Sequence, residues 1–246
     1  MGSEMCIRDR RYKISGVTFE LKTVHAYTHR LCAAYRSEGD KDFDIATTVE
    51  DIAAERERAP EFDERYLESL AVYRKLCEKI LSDYNGFLFH ASAVAVDGYA
   101  YMFTAPSGTG KSTHASLWRT ALGERAVMIN DDKPIVRRID GGFFVYGTPW
   151  NGKHNLSTNG RAKLAAVCEL TRGAENSIER VLPSAEFVRV LMEQSLRGCD
   201  GESMLKLLDL FDKLAKEVPF YRLACNVSEE AARLSFNTMN VKGERI

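Results

Sequence analysis

Between residues 11 and 30 polar and apolar positions alternate, as in Tyr12-Lys13-Ile14-Ser15 and Val17-Thr18-Phe19-Glu20-Leu21. A period of two predicts short strands, with a turn near Gly16. Ser37 to Asp42 reads as a loop, and Phe43 to Thr47 as a further strand. Thr48 is placed as a helix N-cap, with Glu50 and Asp51 in a first turn where the helix dipole favours acids. Over residues 61–84 the period lengthens. Phe62, Tyr66, Leu70, Tyr73, Cys77, Ile80 and Tyr84 recur at spacings of three and four, which predicts one helix with these residues on its core-facing side. Pro60 precedes it and Asn85-Gly86 stops it.

After Gly86 the pattern changes to strands and helices in alternation. Phe87 to Val96 reads as one strand, Asp97-Gly98 as a tight turn and Tyr99 to Thr104 as the returning strand. That strand runs straight into Ala105-Pro106-Ser107-Gly108-Thr109-Gly110-Lys111-Ser112-Thr113, and a helix is expected from Lys111 to near Leu122. Ala126 to Ile129 is an apolar strand that ends in Asn130-Asp131-Asp132. Ile135 to Arg138 and Phe143 to Tyr146 form a hairpin around Asp140-Gly141-Gly142. Phe187, Val190 and Leu191 mark one later helix, and Leu207, Leu210, Phe211 and Leu214 another, stopped by Pro219. Phe220 to Leu223 is a short strand, and Ser228 caps a last helix that opens with Glu229 and Glu230. The order predicts an α/β fold, a mixed-sheet core flanked by helices over 86–246, with a small α+β segment over 11–85.

Composition narrows the partners. The chain has 246 residues, 45% hydrophobic and 28% charged, and Lys+Arg at 34 nearly balances Asp+Glu at 35. A near-neutral chain is not expected to be a dedicated nucleic-acid binder. No run reaches the roughly 18 apolar residues of a membrane span, so no membrane role is expected. Six cysteines occur, at 6, 32, 77, 168, 199 and 225, without CxxC spacing. They read as small buried hydrophobes of a reducing, cytoplasmic compartment. Residues 1–10, Met-Gly-Ser-Glu-Met-Cys-Ile-Arg-Asp-Arg, lack the apolar stretch of a signal peptide. Reverse-translated from a GTG start, they spell a transposon-type sequencing adapter, so they are read as an assembly artefact and left out of the fold.

The chemistry concentrates after residue 104. Ala105 to Ser112 matches the P-loop (Walker A) pattern, with Ala105 in place of the first Gly. Small residues let backbone N–H groups curl around phosphate oxygens at a helix N-terminus. Lys111 would reach the β- and γ-phosphates and Ser112 would ligate Mg²⁺, so ATP and Mg²⁺ are the expected ligands. Asp131 and Asp132 fall at the end of a strand about twenty residues later, at the carboxyl edge of an α/β sheet. One acid there can hold Mg²⁺ and the other can accept a proton from an attacking hydroxyl.

His90 on a hairpin, the loop Ala-Pro-Ser-Gly-Thr-Gly-Lys-Ser and the following Asp-Asp together resemble the catalytic domain of HPr kinase/phosphorylase. The nucleotide-binding core of ATP-dependent phosphoenolpyruvate carboxykinase is similar to it. The resemblance spans roughly residues 86–172 and includes the HPr-kinase-like proteins of bacterial peptide-modification cassettes. It implies that His90 sits near the phosphates on the strand preceding the loop and that Lys111 neutralises them. Ser112 would hold the metal. Of Asp131 and Asp132, one would be base and the other metal partner, with Asp132 taken as the metal partner. It also suggests multimers. One departure is plain: Tyr146 to Asn155, where HPr kinase carries its signature loop, supplies no carboxylate.

The expected function is therefore a Mg-ATP-dependent kinase acting on a serine-like hydroxyl of a protein, peptide or small molecule. The alternative is an ATP-binding accessory or sensor protein of a peptide-modification cassette, without catalysis. Phosphoenolpyruvate carboxykinase itself is disfavoured, because the chain is too short for that family's separate substrate domain. In the loop after Tyr146, two readings stand side by side. Trp150 and His154 stack on a base or peptide while Lys153 or Arg161 touches phosphate, or Pro149-Trp150 packs over the core with its charges solvated. His25, His29 and His114 lack metal-ligand spacing, and Arg137-Arg138 reads as a strand-edge charge pair.

Overall fold

The computed structural model describes residues 10–195, 200–243 and 245; of the proposed adapter segment 1–10 only Arg10 is among them, and residues 1–9, with Cys6, and Cys199 lie outside. The chain divides into two compact units, the first ending at Lys79 and the second beginning at Ile80.

In the first unit β1 (Arg10–Ile14) pairs antiparallel with β2 (Val17–Lys22). Ser15 and Gly16 make the turn with φ of 55° and 78°, the left-handed geometry a two-residue hairpin needs. The strand expectation fails beyond Lys22: Tyr27–Leu31 is a short helix, α1. Its entry is fixed by the buried carboxylate of Glu68, which accepts from Val24 N at 2.5 Å, His25 N at 2.8 Å and Thr47 Oγ1 at 2.7 Å. β3 (Phe43–Ala46) pairs parallel with β2. α2 (Val49–Arg58) starts in a capping box between Thr48 and Asp51.

α3 (Glu64–Asp83) begins later than the sequence pattern suggests. Asp63 Oδ1 accepts from Arg65 N and Tyr66 N and caps the helix there, so Phe62 stays outside it and exposed. Of the expected face Tyr73, Cys77 and Ile80 are buried, joined by Leu67, Ala71, Val72 and Leu76.

The second unit is built on a nine-stranded mixed sheet. Residues 87–96 are not one strand. β4 (Gly86–Leu88) pairs with β8 (Ile135–Ile139), whereas β5 (Ser92–Val96) pairs with β6 (Tyr99–Thr104) and β7 (Ala126–Asn130). Phe89, His90 and Ala91 belong to neither. β9 (Gly142–Tyr146) returns from β8, and β10 (Arg161–Arg172), absent from the sequence expectation, runs through the middle. One edge of β10 takes β9 and then β12 (Phe220–Cys225); the other takes β6 in parallel. β11 (Ser177–Val181) closes onto β12.

The sheet order β4-β8-β9-β10-β6-β5-β7 sets β4 five strands from β5. Flat, that is about 24 Å. The chain from Leu88 to Ser92 spans about 14 Å at most. The sheet is therefore curled, bringing its far strands toward each other at His90.

The two faces are read out by alternation. Ala93, Ala95 and Met102 face a core completed by Phe187 and Leu191 of α5 (Ala185–Glu193) and Leu207 and Phe211 of α6 (Gly201–Glu217). Val94, Tyr101 and Phe103 face Trp118 of α4 (Lys111–Leu122) and Phe236 of α7 (Glu229–Met239). Each of the large fully buried side chains among these contributes about 1.5–3 kcal/mol. No helix among the described residues is long and apolar enough to cross a membrane.

Candidate phosphate-binding site

Strand direction brings the site together. β5 is antiparallel to both β6 and β7, with Ser92 opposite Phe103 and Ala93 opposite Asn130. The beginning of β5 and the ends of β6 and β7 therefore share one sheet edge. His90 lies just before β5, the glycine loop follows β6, and Asp131 and Asp132 follow β7.

The loop needs glycine for its backbone. Gly108 and Gly110 have φ of 78° and 125°, and a Cβ at either would meet nothing within 4 Å, so conformation and not space fixes them. Ala105 is fully buried and is not among the positive-φ residues, so a side chain is tolerated there. α4 starts at Lys111 with Gly110 as an N-cap that offers no side-chain acceptor. The Lys111 Nζ donates to the Ala105 carbonyl at 2.9 Å. Burial pushes the Lys111 pKa down, opposed by the charges of Asp132 and Asp131.

Asn130 shapes the acidic turn. Its Oδ1 accepts from Asp132 N at 2.8 Å and Lys133 N at 2.7 Å, and its Nδ2 donates to Thr148 O at 2.9 Å. Asp131 is buried, with Oδ1 accepting from Ser92 Oγ at 2.8 Å and Oδ2 3.0 Å from His154 Nδ1. Asp132 has Oδ1 3.2 Å from His90 Nε2 and Oδ2 2.5 Å from Lys133 Nζ. Burial raises the Asp132 pKa, but the His90 hydrogen bond and the Lys133 ammonium outweigh it and hold the carboxyl at about 2. His90 is not on the strand preceding the loop. It sits in the break before β5, held by Gln194 through its backbone N–H at 2.7 Å and its Nδ1 at 3.1 Å.

These groups line one open cavity of about 480 Å³ that includes His90, Ser107, Lys111, Ser112, Asp131 and Asp132. Gly108, Gly110, Thr113, Gly152, Lys153 and His154 complete its wall. Ala105, Pro106 and Thr109 are in the loop but not in that wall.

The loop after β9 divides between the two readings: Lys153 and His154 line the cavity, whereas Trp150 and Arg161 do not. Trp150 is buried and not available for stacking on a ligand, because Pro149-Trp150 packs inward. Arg161 donates to the Tyr146 hydroxyl at 3.1 Å, away from the cavity wall. Ser92, Asn130, Lys133 and Gln194 escaped sequence reasoning; only Asn130, at the head of an Asx turn, left a local signal.

No family model matches this chain, and no curated protein matches it. Among solved structures, the HPr(Ser) kinase/phosphatase from Coxiella burnetii resembles it distantly: 9% identity, a TM-score of 0.36, and coverage of 62% of this chain and 87% of that one.

Proposed function

We propose that this chain is a Mg-ATP-dependent phosphotransferase that moves the γ-phosphoryl group to a hydroxyl of a protein, peptide or small molecule. The observation that supports it is the convergence, in one cavity, of a lysine-bearing glycine loop at a helix N-terminus with Asp132, Ser112 and two histidines. Loop amides and the α4 N-terminus would take phosphate oxygens. Lys111, now turned onto a carbonyl, would exchange that partner for the β- and γ-phosphates.

Ser112 and Asp132 would hold the magnesium of the nucleotide. One hydroxyl and one carboxylate fit a cation that keeps waters and phosphate oxygens in its shell. Held there, the ion would supply positive charge against that developing on the transferred group. A second cavity of about 390 Å³ flanks the loop at Gly108 and Gly110 and is walled by Leu117, Leu170, Arg172, Asn226 and Val227. Its mixed apolar and polar wall suits the nucleoside. Rate enhancement would come from positioning and fixed charge.

A second reading, nucleotide binding without transfer, is favoured by the missing carboxylate in Tyr146 to Asn155. Lys111→Met separates the two. Its uncharged, similarly sized side chain relieves a buried charge, so the fold should persist by circular dichroism. Transfer to candidate peptides, followed by mass spectrometry, should fall roughly 100-fold or more. Unchanged transfer in the variant rejects the mechanism; no transfer in the parent protein, with Mg-ATP bound, leaves the second reading.

A further inference from the structure

A carboxylate beside the phosphates is the obvious group to deprotonate an attacking hydroxyl, yet Asp131 has both oxygens engaged and Asp132 is assigned above to the metal. Asp131 accepts from Ser92 at one oxygen and faces His154 at the other, and its side chain is 3% exposed. Asp132 faces His90 and Lys133. We infer that His154, oriented by Asp131, is the general base of the transfer. This rests on the phosphotransferase reading above.

The geometry carries the inference. With Oδ2 of Asp131 3.0 Å from Nδ1, the carboxylate selects the tautomer protonated there, and the lone pair is left on Nε2. The ring is 47% exposed and lines the same cavity as Lys111, Ser112 and Asp132. Its loop is pinned to the end of β7 on the far side. Asp131 N donates to Leu156 O and Thr158 N to Ile129 O, both at 3.1 Å. Asn151 Nδ2 donates to Ser157 Oγ at 2.8 Å across the loop. Gly152, with φ of 71°, makes the turn beside Asp132. His154 is thus a ring held at one nitrogen by a buried acid on a tethered loop.

In the step, the hydroxyl oxygen bonds to the γ-phosphorus while the bond from that phosphorus to the β–γ bridging oxygen breaks. That electron pair leaves on ADP. The hydroxyl proton passes to Nε2, Asp131 stabilises the resulting imidazolium, and the proton then goes to solvent. Asp131 acts through His154 and is a positioning residue.

The test uses the full chain with Mg-ATP and water as acceptor, reading ADP release, with binding of Mg-ATP measured separately by calorimetry. His154→Ala should lower kcat roughly 100-fold with KM for Mg-ATP unchanged, and added imidazole should restore part of the loss. His154→Asn still offers an amide to Asp131 but has no basic nitrogen; it should remain as slow as the alanine variant. Wild-type kcat in His154→Asn, or no effect of imidazole on His154→Ala, overturns the inference and leaves His154 a support for Asp131. Wild type that binds Mg-ATP without turnover leaves the second reading and overturns the inference with it. Failure of wild type to bind Mg-ATP removes the phosphotransferase reading as well.

Discussion

His114 shows at the scale of one residue what burial does one turn into α4. The ring is 3% exposed, lies edge-on to Phe103 at 4.7 Å and places Nε2 2.9 Å from Ser235 Oγ. Burial lowers its pKa to about 4, against 6.5 for the unperturbed ring. Above pH 6.5 the ring is neutral folded and unfolded, and it adds no pH dependence. Between 6.5 and 4 the unfolded chain takes up a proton that the folded chain refuses, so stability falls as pH falls, by roughly 3 kcal/mol across the window. Urea unfolding at pH 7 and pH 4.5 should show this loss, and His114→Gln should flatten it. At this scale the loop and Asp131-Asp132 were legible as candidates because a few consecutive residues carry each signal, whereas His90 came only with the family resemblance and was placed on the wrong element. Ser92, Gln194 and the His154–Asp131 pair were not, because tertiary contacts between distant residues define them.

The α4–α7 contact illustrates the scale of elements. Ser235 Oγ of α7 accepts from Trp118 Nε1 at 2.8 Å, faces His114 Nε2 and donates to Ala232 O at 3.0 Å. One hydroxyl thereby serves two rings of the helix that bears Lys111. Ser235→Ala strands both rings in an apolar core and should cost about 1–3 kcal/mol in chemical denaturation. The helices were legible from caps and apolar stripes: Ser228 and Thr48 sit where their side chains bond the first turn. β10 was not. Most of residues 162–170 are buried, so Leu-Ala-Ala-Val-Cys shows no alternation, and alanine is a weak strand former. The long run at 87–96 misled for a different reason. Apart from His90 and Ser92 its residues are apolar, and nothing in such a run marks where hydrogen-bonding partners change. The four described free cysteines, Cys32, Cys77, Cys168 and Cys225, all have thiols that burial pushes up, which makes them poor nucleophiles.

On the scale of the whole molecule, the chain holds two compact units, and every residue of the candidate site belongs to the second. Within it, the curl that draws β4 and β5 toward each other has a kinetic consequence. The β5–β6 and β8–β9 hairpins join neighbours in sequence and can close early. The β10–β12 and β10–β6 pairings span long loops and must follow. His90 is anchored by Gln194, 104 residues away, and by the turn at Asp132, so it reaches its place only when the curled sheet is complete. Refolding from urea should therefore recover backbone circular dichroism before it recovers binding of a fluorescent ATP analogue. Simultaneous recovery would show that the site forms with the hairpins. With the lag, and on the proposed function, nucleotide binding would become a report on the last stage of chain assembly.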